Sequence, residues 1–217
     1  MVKIKICGMT RVADALAAVR CGADAIGLVF YPKSPRYIDP DQAARLVAAL
    51  PPFVAVAGLF VNQPPEWIHE ITRQCRLTDI QLHGDEPPAA CLGLPARVIK
   101  AIRVATPADL QNIDQYPVAG ILLDAKVSHA YGGTGQAFDW TMLDGFQCRT
   151  PLILAGGLNP DNVQQAIRMV KPYGVDLSSG VEVAPGIKDH DKMCRFMDRV
   201  RQTVLSPPTP HAKPSPG

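Results

Sequence analysis

The feature that most constrains this chain is a recurrence. Short aliphatic runs close on Gly or a polar residue, and each is followed by a longer segment with helical spacing or by a loop. The runs fall at 2–7, 25–30, 54–60, 79–83, 98–104, 120–124, 152–155 and 175–178, which predicts eight strands. Helical spacing recurs at 11–20, 41–50, 65–75, 106–115, 161–170 and 189–204, with weaker segments at 87–92 and 140–146. Runs such as IGLVF, VAVAGLF and ILLD are apolar without alternation, as strands covered on both faces require. Alternating βα units make a parallel sheet, and eight of them in this length fit a closed (β/α)8 barrel of the TIM type. An open doubly wound sheet is the weaker alternative, because no GxGxxG follows the first run.

Composition sets the outer bounds. With 217 residues, 47% of them hydrophobic and 19% charged, the chain belongs to the soluble globular α/β class, and a chain of this size buries roughly 70% of its unfolded surface. We therefore expect one barrel domain over 1–204 and a proline-rich, unstructured tail over 205–217, whose sequence has no apolar periodicity. The 22 basic and 20 acidic residues leave a net charge of +2, which argues against a nucleic-acid partner. No apolar run reaches membrane-spanning length, and the opening MVKIKICGMT lacks the apolar core of a signal peptide. The six cysteines show no CxxC pair and no metal-ligand spacing, so the expectation is a cytoplasmic protein with reduced thiols, no disulfide framework and no metal.

In such a barrel the chemistry lies where the strands end, at their C-terminal rim. There the seventh and eighth runs lead into LAGGLNPDNV and DLSSGVE. Gly156 and Gly157 suggest one anion cradle, with Asn159 as helix cap, and Ser178, Ser179 and Gly180 a second. That is where this fold often binds phosphate, although two glycines can also be an ordinary tight turn. Cys7 closes the first run and Asp124 the sixth. Each has a plain structural explanation, a small buried thiol and a cap or ion pair with Lys126, yet together they could act as base and acid on one substrate. Arg36, in the stiff loop YPKSPRYI, could clamp a substrate carboxylate or simply be solvated. His83 is either a substrate contact or a satisfied buried group. Gly132, Gly133 and Gly135, in a long connection after the sixth run, could form a lid.

The segments KICGMT, SPRYI, QLHGDE, LLDAK with GGTGQAFDW, LAGGLNPDNV and GVDLSSGVEVAPGIKD, in this order, resemble the phosphoribosylanthranilate isomerase family of tryptophan biosynthesis. The resemblance covers nearly everything except the tail. It implies an Amadori rearrangement of N-(5-phosphoribosyl)anthranilate to 1-(2-carboxyphenylamino)-1-deoxyribulose 5-phosphate without metal or organic cofactor, by a monomer or homodimer whose partner is its small-molecule substrate. By position, Cys7 is implied as general base, Asp124 as general acid and Arg36 as holder of the anthranilate carboxylate. The two cradles would hold the 5′-phosphate, with Asp176 beside the second in support. A free Cys is only ~3% thiolate at pH 7 and an ordinary Asp almost fully ionised, so the site must reshape both. The competing readings are the histidine-pathway isomerase, which uses two carboxylates where Cys7 stands, and a non-catalytic sensor of phosphate ligands.

Overall fold

A computed structural model describes residues 1–125, 139–143 and 145–205, without the side chains of 204 and 205. Eight parallel strands, β1 Lys3–Ile6, β2 Ala25–Val29, β3 Ala55–Phe60, β4 Asp79–Leu82, β5 Arg97–Val104, β6 Gly120–Ala125, β7 Leu152–Leu154 and β8 Gly174–Leu177, close into one barrel. Closure is made by β1 on β8, with Ile4 opposite Val175 and Ile6 opposite Leu177. The helices are α1 Val12–Cys21, α2 Pro40–Ala48, α3 Pro65–Gln74, α4 Val163–Val170 and α5 His190–Leu205. After β8 a 3-10 turn, Ser179–Val181, leads into a small hairpin of β9 Glu182–Ala184 and β10 Ile187–Lys188.

The eight strands thus stand where the apolar runs place them, shifted by a residue or two at their ends. Three of the seven connections between strands hold only 3-10 turns among the described residues: Pro88–Cys91 after β4, Pro107–Leu110 and Ile113–Gln115 after β5, and Trp140–Leu143 after β6. The helix expected at 106–115 is not formed. Thr106 and Asp109 make a capping box that starts a turn, but Asn112 then adopts φ 63° and breaks it in two. The helix expected from 161 starts at Val163, and Asn159 is not its cap. Its Oδ1 instead accepts from the amides of Asp161 and Asn162 in a separate turn.

The core has two parts, as the alternation of strand side chains demands. Outward residues such as Ile4, Ile6, Ile26, Leu28, Ile80, Leu82, Ile121 and Leu123 pack beneath the helices with Phe196 and Met197. Inward residues form two smaller clusters, Cys7 with Val29, Leu59 and Val61, and Ala101 with Leu122 and Ala155.

One expectation is overturned. Cys21, ending α1, and Cys194, in α5, form a disulfide with a Cα–Cα distance of 4.9 Å. Barrel closure lays the last helix against the first, so two cysteines 173 positions apart become neighbours that no sequence spacing reveals. The lid glycines Gly132, Gly133 and Gly135, and the tail beyond residue 205, lie outside the described residues, and α5 runs through Leu205, one residue into the expected tail.

Candidate active site

Cys7 follows β1 directly and its amide bonds the Leu177 carbonyl of β8 at 2.8 Å, so the thiol sits at the C-terminal rim. It is 7% exposed. Burial pushes this thiol above its ordinary pKa, against the opposing pull of Lys5 and Lys188. Two cations thus favour the thiolate, and burial outweighs them.

Asp124, near the end of β6, is 6% exposed. Its Oδ1 accepts the Ala125 amide at 2.8 Å, and its Oδ2 lies 3.2 Å from His83 Nε2, off the line of a well-formed hydrogen bond. The ion pair considered with Lys126 concerns a residue outside the described set. Gly156 faces this carboxyl from the end of β7. Its φ is 79°, and a Cβ there would stand 2.6 Å from the Ala125 nitrogen and 3.0 Å from Asp124 Oδ1, so only glycine lets the seventh loop close on the sixth. Gly157 follows, also at positive φ (67°), and its carbonyl accepts from Asn162 Nδ2 at 2.9 Å.

Arg36 is 8% exposed and is bound by Glu182: Nε lies 2.9 Å from Oε1 and Nη2 2.7 Å from Oε2. Glu182 also accepts from Lys188 Nζ at 2.7 Å and from Ser178 Oγ at 3.2 Å. Burial would raise the Glu182 carboxyl, but Arg36 and Lys188 outweigh it and hold it below the usual carboxylate range. Lys188 Nζ further donates to the Cys7 carbonyl at 2.6 Å, tying the hairpin to the end of β1. Ser178, Ser179 and Gly180 occupy the turn after β8, with Ser178 inside this ion-pair cluster.

Beneath the rim, Asp176 is paired with Lys5 at 2.9 Å, and Lys5 also donates to Gln81 Oε1 at 2.9 Å. Burial raises the Asp176 carboxyl; for Lys5, burial would lower it, but Asp176 and Cys7 together raise it, so the ammonium form is favoured. His83 is buried at 4% exposure; its Nδ1 meets Gln81 Nε2 at 2.9 Å, while its Nε2 has no well-formed hydrogen bond among the described residues, so the ring is satisfied on one side only. Cys7, Asp124, Arg36, His83, Asp176 and both cradles thus gather at one end of one barrel. Lys5, Gln81, Glu182 and Lys188 were not singled out by sequence. A lysine in the apolar run KIKI and a glutamine in IQLH were the available signals, since an inward strand position rarely carries either without a partner.

A closed parallel barrel whose C-terminal rim brings together a thiol, a carboxyl, buried cations and two glycine- or serine-bearing turns defines an acid–base enzyme of the (β/α)8 class. Within that class the match is to one family: the family model for N-(5′-phosphoribosyl)anthranilate (PRA) isomerase covers residues 4–199, and the chain belongs to this family. A relative named N-(5′-phosphoribosyl)anthranilate isomerase from Magnetococcus marinus is 58% identical over 201 residues, 93% of this chain and 96% of its own. A crystal structure of phosphoribosyl anthranilate isomerase in complex with reduced 1-(o-carboxyphenylamino)-1-deoxyribulose 5-phosphate is 44% identical, with a TM-score of 0.85 over 93% of this chain and 100% of that one. A structure of mutually generated monomers of the dimeric Thermotoga maritima enzyme is 42% identical, with a TM-score of 0.83 and coverage of 93% and 100%.

Proposed function

We propose that this chain isomerises N-(5′-phosphoribosyl)anthranilate by general acid–base catalysis, with Asp124 as acid and Cys7 as base. The observation that carries the assignment of roles is the placement of both side chains at the same rim, on strand ends β6 and β1, above a shared buried polar layer. Asp124, protonated, gives its proton to the ribose ring oxygen as the C1′–O bond breaks and the anilino nitrogen's lone pair forms the Schiff base. The Cys7 thiolate then removes the C2′ proton, and the electron pair returns to nitrogen as an enolamine, which tautomerises to the ketone. Burial raises Cys7, and Lys5 and Lys188 are the groups that offset it.

Arg36 would bind the anthranilate carboxylate through Nη1, the guanidinium nitrogen that Glu182 leaves free, while Glu182 holds the fork in place. The amides and hydroxyls of Gly156, Gly157, Ser178, Ser179 and Gly180 would bind the phosphate. The comparisons support this substrate, and they support neither the histidine-pathway aminoaldose nor a ligand sensor. Loss of anthranilate fluorescence from substrate made in situ tests the reading. Turnover without added metal in the wild type, abolished in Cys7→Ala and in Asp124→Asn, is the expected result; near-normal kcat in either variant overturns its role.

The protein acts in the cytoplasm in this reading. Among the described residues no helix is long and apolar enough to cross a membrane. Cys21 and Cys194 would there stand as a dithiol until the surroundings turn oxidising. We also favour a homodimer over a monomer. Phe53 is fully exposed at φ 69°, at the edge of a cavity of about 400 Å³ at the N-terminal mouth, floored by Ala25, Ala55, Ala57, Gly120 and Gly174. An apolar ring held out in a strained conformation beside an apolar cavity is the self-complementary arrangement that a two-fold contact uses. Light scattering should show a dimer that Phe53→Glu dissociates; a monomeric wild type at high concentration refutes it.

A further inference from the structure

Five inward side chains form one line across the barrel: Asp176 on β8, Lys5 on β1, Gln81 on β4, His83 just after β4 and Asp124 on β6. Lys5 can reach β4 because β2 carries Gly27 between them, where a Cβ would stand 3.1 Å from Lys5 Cε. Chemistry alone orients each link. An ammonium has donors only, so the Gln81 atom 2.9 Å from Lys5 Nζ is the carbonyl oxygen. The other end of that amide is then NH2, again donor only, and its partner, His83 Nδ1, must accept. The proton of the neutral ring is thereby left on Nε2, which faces Asp124 at 3.2 Å. A proton on Nδ1 would put two N–H groups head to head at 2.9 Å in a site where Gln81 is fully buried, so the same contact opposes the imidazolium.

We infer that Lys5 and Gln81 are positioning residues that hold His83 neutral with its proton on Nε2, and so keep Asp124 able to carry and release its own proton. The inference rests on the proposed role of Asp124 as acid. The opposite tautomer would aim an imidazole lone pair at the carboxyl. That lone pair could accept the carboxyl's proton, and the resulting carboxylate–imidazolium pair would have nothing to give the ribose oxygen. With Nε2 already protonated the ring cannot take that proton. Once Asp124 has donated it, the Nε2–H can turn to stabilise the carboxylate, and no proton moves through His83. The charged and titratable groups around this ring are Lys5 and Cys7 from β1, Asp124 from β6 and Asp176 from β8, with Lys100 and Arg103 of β5 bound to Glu86 and Asp85 in the loop beyond β4.

The experiment is nitrogen NMR of the full-length, ligand-free protein labelled at histidine, with the His83 signals assigned by their loss in His83→Asn. The expected wild-type signature is a protonated Nε2 and an unprotonated Nδ1 through neutral pH. In Gln81→Glu a carboxylate accepts from Lys5 and from a protonated Nδ1, so His83 should become doubly protonated. Its kcat should fall about tenfold or more with KM little changed, and the alkaline limb of the kcat profile should move to lower pH. A merely structural glutamine would not move that limb. Should Gln81→Glu not fold, Lys5→Met tests the clamp from its other end, since the freed amide can turn over and His83 should split between tautomers. A wild type that turns over substrate with Nδ1 protonated overturns the inference, as does Gln81→Glu with a doubly protonated His83 and unaltered kcat. A wild type with the Nε2–H signature and no turnover of the substrate keeps the clamp and overturns only the function assigned to Asp124.

Discussion

Gly156→Ala is the sharpest structural perturbation of this site. A non-glycine residue at φ 79° costs about 1–2 kcal/mol in backbone energy alone. The new methyl would also stand 2.6 Å from the Ala125 nitrogen and 3.0 Å from Asp124 Oδ1, so the amide that holds this carboxyl at 2.8 Å must move. Overpacking of that kind adds about 1–3 kcal/mol, for a sum of roughly 2–5 kcal/mol. A chain of this size loses roughly 2–4 °C per kcal/mol, so Tm should fall by about 4–20 °C. Gly145 supplies the control, because its φ is 70° and a Cβ there meets nothing within 4 Å among the described residues. Gly145→Ala carries only the backbone cost, about 1–2 kcal/mol, and should keep its kcat. Calorimetry and the fluorescence assay on both variants separate the two contributions. If Gly156→Ala melts together with Gly145→Ala and retains wild-type kcat, the seventh loop does not hold the acid and the reasoning fails.

Three further outcomes are expected. Because burial raises Cys7, its alkylation by iodoacetamide in the ligand-free protein, followed by peptide mapping, should keep accelerating past the ordinary thiol range near about 8.5; a plateau below that value would show that Lys5 and Lys188 outweigh burial. Glu182 is held low in the folded state, so it contributes stability that is present above the ordinary carboxylate pKa and lost as pH falls through its folded value; the stability of Glu182→Gln, measured by urea unfolding, should therefore decline less between neutral and acid pH than that of the wild type, and parallel declines would refute this. Reducing the Cys21–Cys194 bond frees a loop spanning 173 positions, for which chain entropy gives about 5 kcal/mol as an upper figure; urea unfolding with and without reductant should differ in the wild type and coincide in Cys21→Ser.

The sequence made the barrel legible because a parallel strand buried on both faces leaves a run without alternation, and eight such runs survive any error at their ends. The residues proposed for the site are picked out by their place at the strand ends. A carboxylate after three aliphatic residues, as in ILLD, and a thiol ending KIKIC each have a plain structural explanation alone, and they point to chemistry only together, at the ends of two strands of one barrel. What could not be read were relations across the barrel. Nothing in the spacing says that Lys5 meets Gln81, 76 positions away, that Lys188 meets the Cys7 carbonyl, 181 away, or that Cys21 meets Cys194. The helix expected at 106–115 failed for a local reason, since helical spacing does not register that a single asparagine adopts the left-handed conformation and ends the turn.

The distribution of buried charge sets this rim apart from the opposite mouth and supports placing the proposed site here. Among the described residues, Lys5, Asp176, Arg36, Glu182 and Lys188 are all withdrawn from water around Cys7, and Lys100 and Glu86 pair nearby. A buried ion pair seldom repays its desolvation, and an apolar filling of equal volume is often as stable. At the other mouth, Ala25, Ala55, Ala57, Gly120 and Gly174 are small and uncharged and line a cavity of about 400 Å³, and the charged pairs there, Lys3 with Asp24 and Arg97 with Asp79, each include a side chain more than half exposed. The fold thus carries its uncompensated electrostatic cost at one end only. That cost is rational if the fixed charges act on a dianionic substrate and on two groups that must hold the less favoured protonation state, because oriented charges away from water need no reorganisation when the proton moves. Neutralising the layer, as in Lys5→Met with Asp176→Leu, should therefore raise stability or leave it unchanged while kcat collapses, and a double variant that loses stability and activity together would show the layer to be structural.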